Sequence, residues 1–119
     1  MPLAATQSRP VDLVHLARYT GGDAALNAEV LQLFATQASD LLRQLASELQ
    51  AKDSKNWRHV THTVKGAARG IGAFALADAA ADAEPIDPAI DSARAEAALS
   101  QIMAKADAVR LFIDAYLGR

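Results

Sequence analysis

The sequence predicts an all-α fold, an antiparallel up-down four-helix bundle with a short extra helix at its N-terminus. Apolar residues make up 51% of the chain but aromatic residues only 5%. Alanine supplies much of the apolar fraction and is the best helix former, whereas the β-branched and aromatic residues typical of strands are sparse. The 119 residues are enough to bury one core, so a single domain over residues 1–119 is predicted.

Glycine, proline and capping residues divide the chain into helices. Gly21 and Gly22 end one helix, and Asp23 is a good cap for the next. The prolines at 85 and 88 end the helical pattern again. The predicted order is a lead-in over residues 1–10, a short helix over 11–17, and helices over 23–52, 53–72, 73–84 and 91–117.

Apolar residues recur at spacings of three and four along each long segment, which is the period of an amphipathic helix. The predicted core positions are Leu26, Val30, Phe34, Leu41, Leu42, Leu45, Leu49, Trp57, Val60, Thr61, Val64, Ala68, Ile71, Phe74, Leu76, Ala80, Ala83, Ala95, Leu99, Ile102, Ala106, Val109, Ile113, Tyr116 and Leu117. Short connections between such segments favour antiparallel neighbours.

Charge and composition exclude several functions. The net charge of −2 and the pI of about 5.8 argue against a general nucleic-acid-binding protein. The absence of cysteine excludes disulfides and thiol chemistry. No apolar run has the roughly 20 residues of a membrane span, and no signal peptide is recognised at the N-terminus. No membrane association and a cytoplasmic location are expected.

His62 lies on the side of its helix away from the predicted core. At about 100° per residue, Trp57 and the other core residues of this helix share one face, and His62 lies roughly 140° from Trp57. The basic residues around His62 are Lys55, Arg58, Lys65 and Arg69, and His59 and Gly66 lie on the same outward side. The sequence therefore predicts an exposed histidine within a basic stripe.

This pattern suits a histidine that carries a phosphoryl group. A neutral imidazole is a nucleophile near pH 7, and its phosphorylated form bears negative oxygens. Lys65, one turn further along, is placed to neutralise that charge, and Arg69 could do so from two turns away. Gly66 leaves bare backbone beside the ring, where a side chain would obstruct a partner. A mid-helix glycine costs about 1 kcal/mol relative to alanine, so a functional reason for it is plausible.

Residues 62–72 resemble the signature of histidine-containing phosphotransfer (HPt) domains. That signature is His-x-x-Lys-Gly followed by a glycine ten residues after the histidine, and Gly72 stands at that position. The resemblance extends over most of the chain, through Gly22, Asp23, Leu31, Phe34 and the alanine- and leucine-rich segment that ends in Glu84.

The resemblance implies a four-helix bundle with one phosphorylatable histidine, His62, flanked by the family's Lys65 and Gly66. Such domains take a phosphoryl group from an aspartate of a receiver domain and pass it to another receiver. They bind no ATP, so no cofactor is expected in this chain, and Mg²⁺ is expected on the receiver partner. The expected partners are response-regulator receiver domains and a hybrid histidine kinase.

The chain departs from the family pattern at two positions. Arg69 stands where the family commonly has glycine or a small residue, and Thr61 stands where alanine is common, which we interpret as a packing variation. In this family a polar residue of the preceding helix often orients the imidazole, and Gln37 is the candidate here. Arg58, His59 and Arg69 are predicted to contact the phosphoryl group or the partner.

Other functions remain open from the residues alone. His59 and His62 have a spacing that two metal ligands could use, but no acidic or thiol ligand lies near them in sequence, so no metal site is predicted. The basic stripe could contact nucleic acid, which the overall acidity and few aromatic residues disfavour. A helical adaptor bundle without phosphotransfer, including a degenerate HPt domain, is the stronger alternative. A monomer is expected.

Overall fold

The computed structural model describes residues 9–119, and the secondary structure of that range is entirely helical. The helices are α1 (Leu13–Thr20), α2 (Ala24–Ala51), α3 (Ser54–Gly70), α4 (Phe74–Ala83) and α5 (Ser92–Tyr116). The predicted fold class, an up-down four-helix bundle preceded by a short helix, is confirmed. Most of the predicted lead-in, residues 1–8, lies outside the described residues.

Aspartate begins four of the five helices, because its carboxylate accepts hydrogen bonds from backbone amides that have no partner inside the helix. These caps are Asp12, Asp23, Asp53 and Asp91. The first helix lies two to three residues further along the chain than predicted, because it begins after the cap Asp12 and continues to Thr20. Gly21, with a φ of 65°, ends it in the left-handed conformation.

The four long helices form a closed ring in which α3 packs between α2 and α4, and α5 packs between α4 and α2. Helix α1 packs at one end of this ring, and hydrogen bonds at both its N-terminus and its C-terminus hold it there. The amide of Asp12 donates to the carbonyl of Gly72 at 2.9 Å, and the Thr20 hydroxyl donates to the side-chain oxygen of Asn27. Asn27 in turn donates to the Tyr116 hydroxyl at 3.2 Å, so these contacts join α1, α2, α5 and the α3–α4 turn.

Most of the predicted core positions are buried or half-buried, two are exposed, and the core also includes Leu31, Ala73 and Ala77, which were not predicted in it. Trp57, Leu31 and Ile102 are completely buried where the helices meet. Leu26 and Phe74, both predicted in the core, are 39% and 42% exposed. Both lie in the first turn of their helices, and a period read from sequence does not show how far a neighbouring helix extends.

Candidate functional site

Helix α3 presents one apolar face to the core and one polar face to solvent. Trp57 is fully buried, and its indole N–H donates to the carbonyl of Ala83 at 3.0 Å. Thr61 is also fully buried, with its hydroxyl donating to the carbonyls of Trp57 at 2.9 Å and Arg58 at 3.0 Å. The Trp57 hydrogen bond holds α3 against the C-terminal end of α4, while the Thr61 hydroxyl is satisfied within α3 itself.

His62 lies on the solvent side of α3, where the helical projection placed it. Its side chain is 66% exposed. The ring Nδ1 lies 3.4 Å from Oε1 of Glu84, a long hydrogen-bonding distance. An ionised carboxylate only accepts hydrogen bonds, so this contact favours the tautomer with its proton on Nδ1. The other ring nitrogen, Nε2, then keeps its lone pair and is the nucleophilic atom.

Glu84 connects the histidine to the lysine of the motif. The Lys65 ammonium donates to the same oxygen, Oε1 of Glu84, at 2.9 Å, and the Lys65 side chain is only 19% exposed. This hydrogen bond lowers the pKa of the Glu84 carboxyl, partial burial opposes it, and the contact with His62 adds to the lowering. The carboxylate therefore stays ionised at neutral pH, and its stabilising contacts are lost only when acid protonates it.

Glu84 is part of the family resemblance, but the sequence alone assigns it no role. Glu84 occupies the C-terminal cap of α4, directly before Pro85. A negative charge is unfavourable at a helix C-terminus, because the last carbonyl groups already give that end a partial negative charge. An acidic residue at that position therefore needs a cation nearby, and this was the signal that could have identified it.

The other predicted site residues are all exposed, but only Arg58 lies next to Lys65 and Glu84. Arg58 is exposed and lines a shallow cleft between α3 and α4, together with Lys65, Ala81, Glu84 and Pro85. Arg69 is exposed but does not line that cleft, and His59 is exposed one turn before His62.

The prediction that Gln37 orients the imidazole does not agree with the structure. Gln37 is exposed on α2, and within residues 9–119 the side chain that hydrogen-bonds the His62 ring is Glu84 of α4. Facing residues of α2 and α3 depend on how far the two helices slide past each other, which their separate sequences do not reveal. The hydrogen-bond partner of the ring belongs to α4, which packs on the other side of α3 from α2.

Gly66 and Gly70 leave bare backbone on the exposed side of α3. A Cβ built on either glycine meets no atom within 4 Å. Neither glycine is therefore required by packing within the bundle. This contrasts with Gly72, where a Cβ would lie 2.7 Å from the backbone oxygen of Asp12.

The family model of the Hpt domain matches residues 29–115. The chain belongs to the Hpt family. The fold is similar to the crystal structure of histidine-containing phosphotransfer protein B (HptB) from Pseudomonas aeruginosa PAO1, with a TM-score of 0.73 and 24% sequence identity over 90% of this chain and 93% of that chain. A likeness at this identity shows the fold alone. No curated protein matches the sequence.

Hpt domains are phosphocarriers of phosphorelays that interact with receiver domains and have no ATP site of their own. His62, Lys65, Gly66 and Glu84 all lie inside the matched range. Across residues 9–119, no three His, Asp or Glu side chains come together as metal ligands would. Over the same residues, none of the helices has the length and apolar character that crossing a membrane requires.

Proposed function

We propose that this Hpt domain carries a phosphoryl group on Nε2 of His62, accepting it from the aspartate of one receiver domain and passing it to another. The observation that carries the proposal is the pairing of an exposed imidazole with Glu84 at Nδ1. This pairing leaves Nε2 unprotonated, on the opposite side of an exposed ring from Glu84, as a nucleophile that attacks a second protein requires.

The transfer balances without any group from solvent. Nε2 attacks the phosphorus of the receiver's aspartyl phosphate, the Nε2–P bond forms, and the P–O bond to the aspartate breaks and leaves a carboxylate. The product ring is an imidazolium that keeps its proton on Nδ1, and the ionised Glu84 stabilises this cation. The reverse step returns the phosphoryl group to a carboxylate and leaves a neutral imidazole.

The remaining groups have supporting roles in this proposal. Lys65 holds Glu84 in place and adds positive charge beside the ring. The receiver supplies Mg²⁺, and this chain acts as a monomer in the cytoplasm, with receiver domains, including that of a hybrid histidine kinase, as partners. Since the domain has no ATP site, it relays phosphoryl groups and does not generate them.

Incubation with a receiver domain radiolabelled on its aspartyl phosphate tests this function. We expect the label to move to this chain and to be lost in acid but kept in base, as for a phosphohistidine. A second, unlabelled receiver should then recover it. Label that is lost in base, or no transfer from any receiver tested, would contradict the proposal and favour a helical adaptor.

A bulky residue at Gly66 is expected to weaken docking of the receiver without weakening the bundle. Because space around the glycine is open, Gly66→Trp should fold normally, yet its ring would stand beside His62 where the receiver must approach. We expect a loss of affinity of about tenfold or more, which corresponds to about 1.4 kcal/mol. Isothermal titration calorimetry with the receiver measures it.

Gly66→Ala is the matched control. Alanine is the better helix former by about 1 kcal/mol, so this variant should unfold at a higher temperature than the wild type. Such a gain would show that the glycine is retained at a cost in stability. Equal receiver affinity of Gly66→Trp and wild type would remove the proposed role in docking.

A further inference from the structure

The positive charge of Lys65 is already paired with the Glu84 carboxylate in the unphosphorylated protein. Its ammonium lies 2.9 Å from Oε1 of Glu84, and both side chains are largely shielded by the contact between α3 and α4. A phosphoryl group on His62 would bring about two negative charges at neutral pH to a site that already holds the Glu84 carboxylate. The lysine and glutamate charges offset each other and the imidazolium offsets one phosphoryl charge, so about one negative charge is left for a further cation to neutralise.

Two arginines of α3 are candidates for this cation. Arg58 precedes His62 by four residues and Arg69 follows it by seven. Both are exposed, and no side-chain ion pair involves either of them within residues 9–119. Residues four apart on a helix are surface neighbours about 6 Å apart along the axis, whereas seven residues correspond to about 10 Å.

The cleft between α3 and α4 distinguishes the two arginines. Arg58 lines it together with Lys65 and Glu84, whereas Arg69 lies outside it. The nearby carboxylate of Asp87 accepts hydrogen bonds from the Ser54 hydroxyl and from the Ala89 amide at 2.9 Å, and makes no ion pair with Arg58. The Arg58 charge contributes to the lowered pKa of the Asp87 carboxyl, after the Ser54 and Ala89 hydrogen bonds, but no ion pair fixes the guanidinium there.

We propose that the exposed surface of α3 beside His62 is an anion subsite for the phosphoryl oxygens of phosphorylated His62, and that Arg58, which extends over it from the edge of the α3–α4 cleft, is its mobile cation. This inference rests on the proposed function and adds a division of roles to it. Lys65 positions Glu84, Glu84 holds the ring, and Arg58 neutralises the transferred group. Arg69 has no part in holding the phosphoryl group.

Phosphoramidate, a small phosphodonor, tests the subsite without a receiver domain. Nε2 of His62 attacks its phosphorus, the P–N bond of the donor breaks, and ammonia leaves. The wild-type chain and the variants Arg58→Ala, Arg58→Lys and Arg69→Ala are phosphorylated, freed of donor, and followed by phosphorus NMR as the phosphohistidine hydrolyses. We expect Arg58→Ala to shorten its lifetime about fivefold, the upper value for an exposed ion pair.

Arg58→Lys should keep most of the lifetime, and Arg69→Ala should keep all of it. In the wild type, the guanidinium resonances of Arg58 should shift on phosphorylation while those of Arg69 stay in place. Equal lifetimes for Arg58→Ala and wild type, or an equal loss in Arg69→Ala, would overturn the subsite. Failure of the wild type to form phosphohistidine at His62 would instead overturn the proposed function itself.

Discussion

Replacement of His62 by glutamine is expected to reduce phosphoryl uptake to background while the bundle stays folded. Glutamine keeps the polarity and approximate size of the side chain but offers no nucleophilic nitrogen, because its amide nitrogen carries no available lone pair. The side chain is 66% exposed and takes no part in the core, so its loss should change the free energy of unfolding by less than about 0.5 kcal/mol. Labelling by a phosphorylated receiver and thermal unfolding measure the two effects.

His59→Gln is the matched control for this experiment. His59 is an exposed histidine of the same helix, one turn earlier, on the same outward side as His62. Within residues 9–119 no hydrogen bond or ion pair joins it to Glu84, and labelling of this variant should stay far above background. Full labelling of His62→Gln, with His59→Gln reduced to background, would show that His59 and not His62 is the phosphoacceptor.

The fold was predictable because it depends on short-range sequence signals. Helical periodicity identified most of the buried residues, and the aspartate caps and glycines located the helix ends to within a few residues. The outward position of His62 followed from the same periodicity, because a helix fixes the angle between Trp57 and His62 without any knowledge of its neighbours. Leu26 and Phe74 were misplaced because burial near a helix end depends on which other helix covers it.

The site was predictable only as far as it lies on one helix. His62, Lys65 and Gly66 share α3, so their arrangement follows from their spacing. The partner of the imidazole lies on another helix, and Gln37 was chosen from α2 without knowledge of how the helices align. The actual partner, Glu84, depends on the packing of α4 against α3, which the hydrogen bond from Trp57 to Ala83 fixes.

Gly72 shows how a motif residue can have a structural reason within the bundle. Its φ of 81° lies in the left-handed region, which costs about 1 to 2 kcal/mol for a residue with a side chain. A Cβ there would lie 2.7 Å from the backbone oxygen of Asp12 and 3.1 Å from its backbone nitrogen. That same nitrogen donates to the Gly72 carbonyl at 2.9 Å, and Asp12 caps α1. The glycine thus lets the start of α1 approach the α3–α4 turn.

Gly72→Ala is therefore expected to destabilise the protein by about 2 to 4 kcal/mol, the sum of backbone strain and of the displacement that the methyl group forces on Asp12. The clash is with backbone atoms, which cannot move aside as a flexible side chain would. Urea unfolding measures the change in free energy, and hydrogen exchange of the Asp12 amide, which donates to the Gly72 carbonyl at 2.9 Å, reports the release of α1 from the turn.

Gly70→Ala provides the comparison that separates this effect from a general intolerance of glycine replacement. Gly70 is the last residue of α3, its added Cβ meets no atom within 4 Å, and its φ is not positive. Alanine there should leave stability unchanged or raise it by up to about 1 kcal/mol. If Gly72→Ala proved as stable as Gly70→Ala, the close approach of α1 to the turn would not explain the second glycine of the motif.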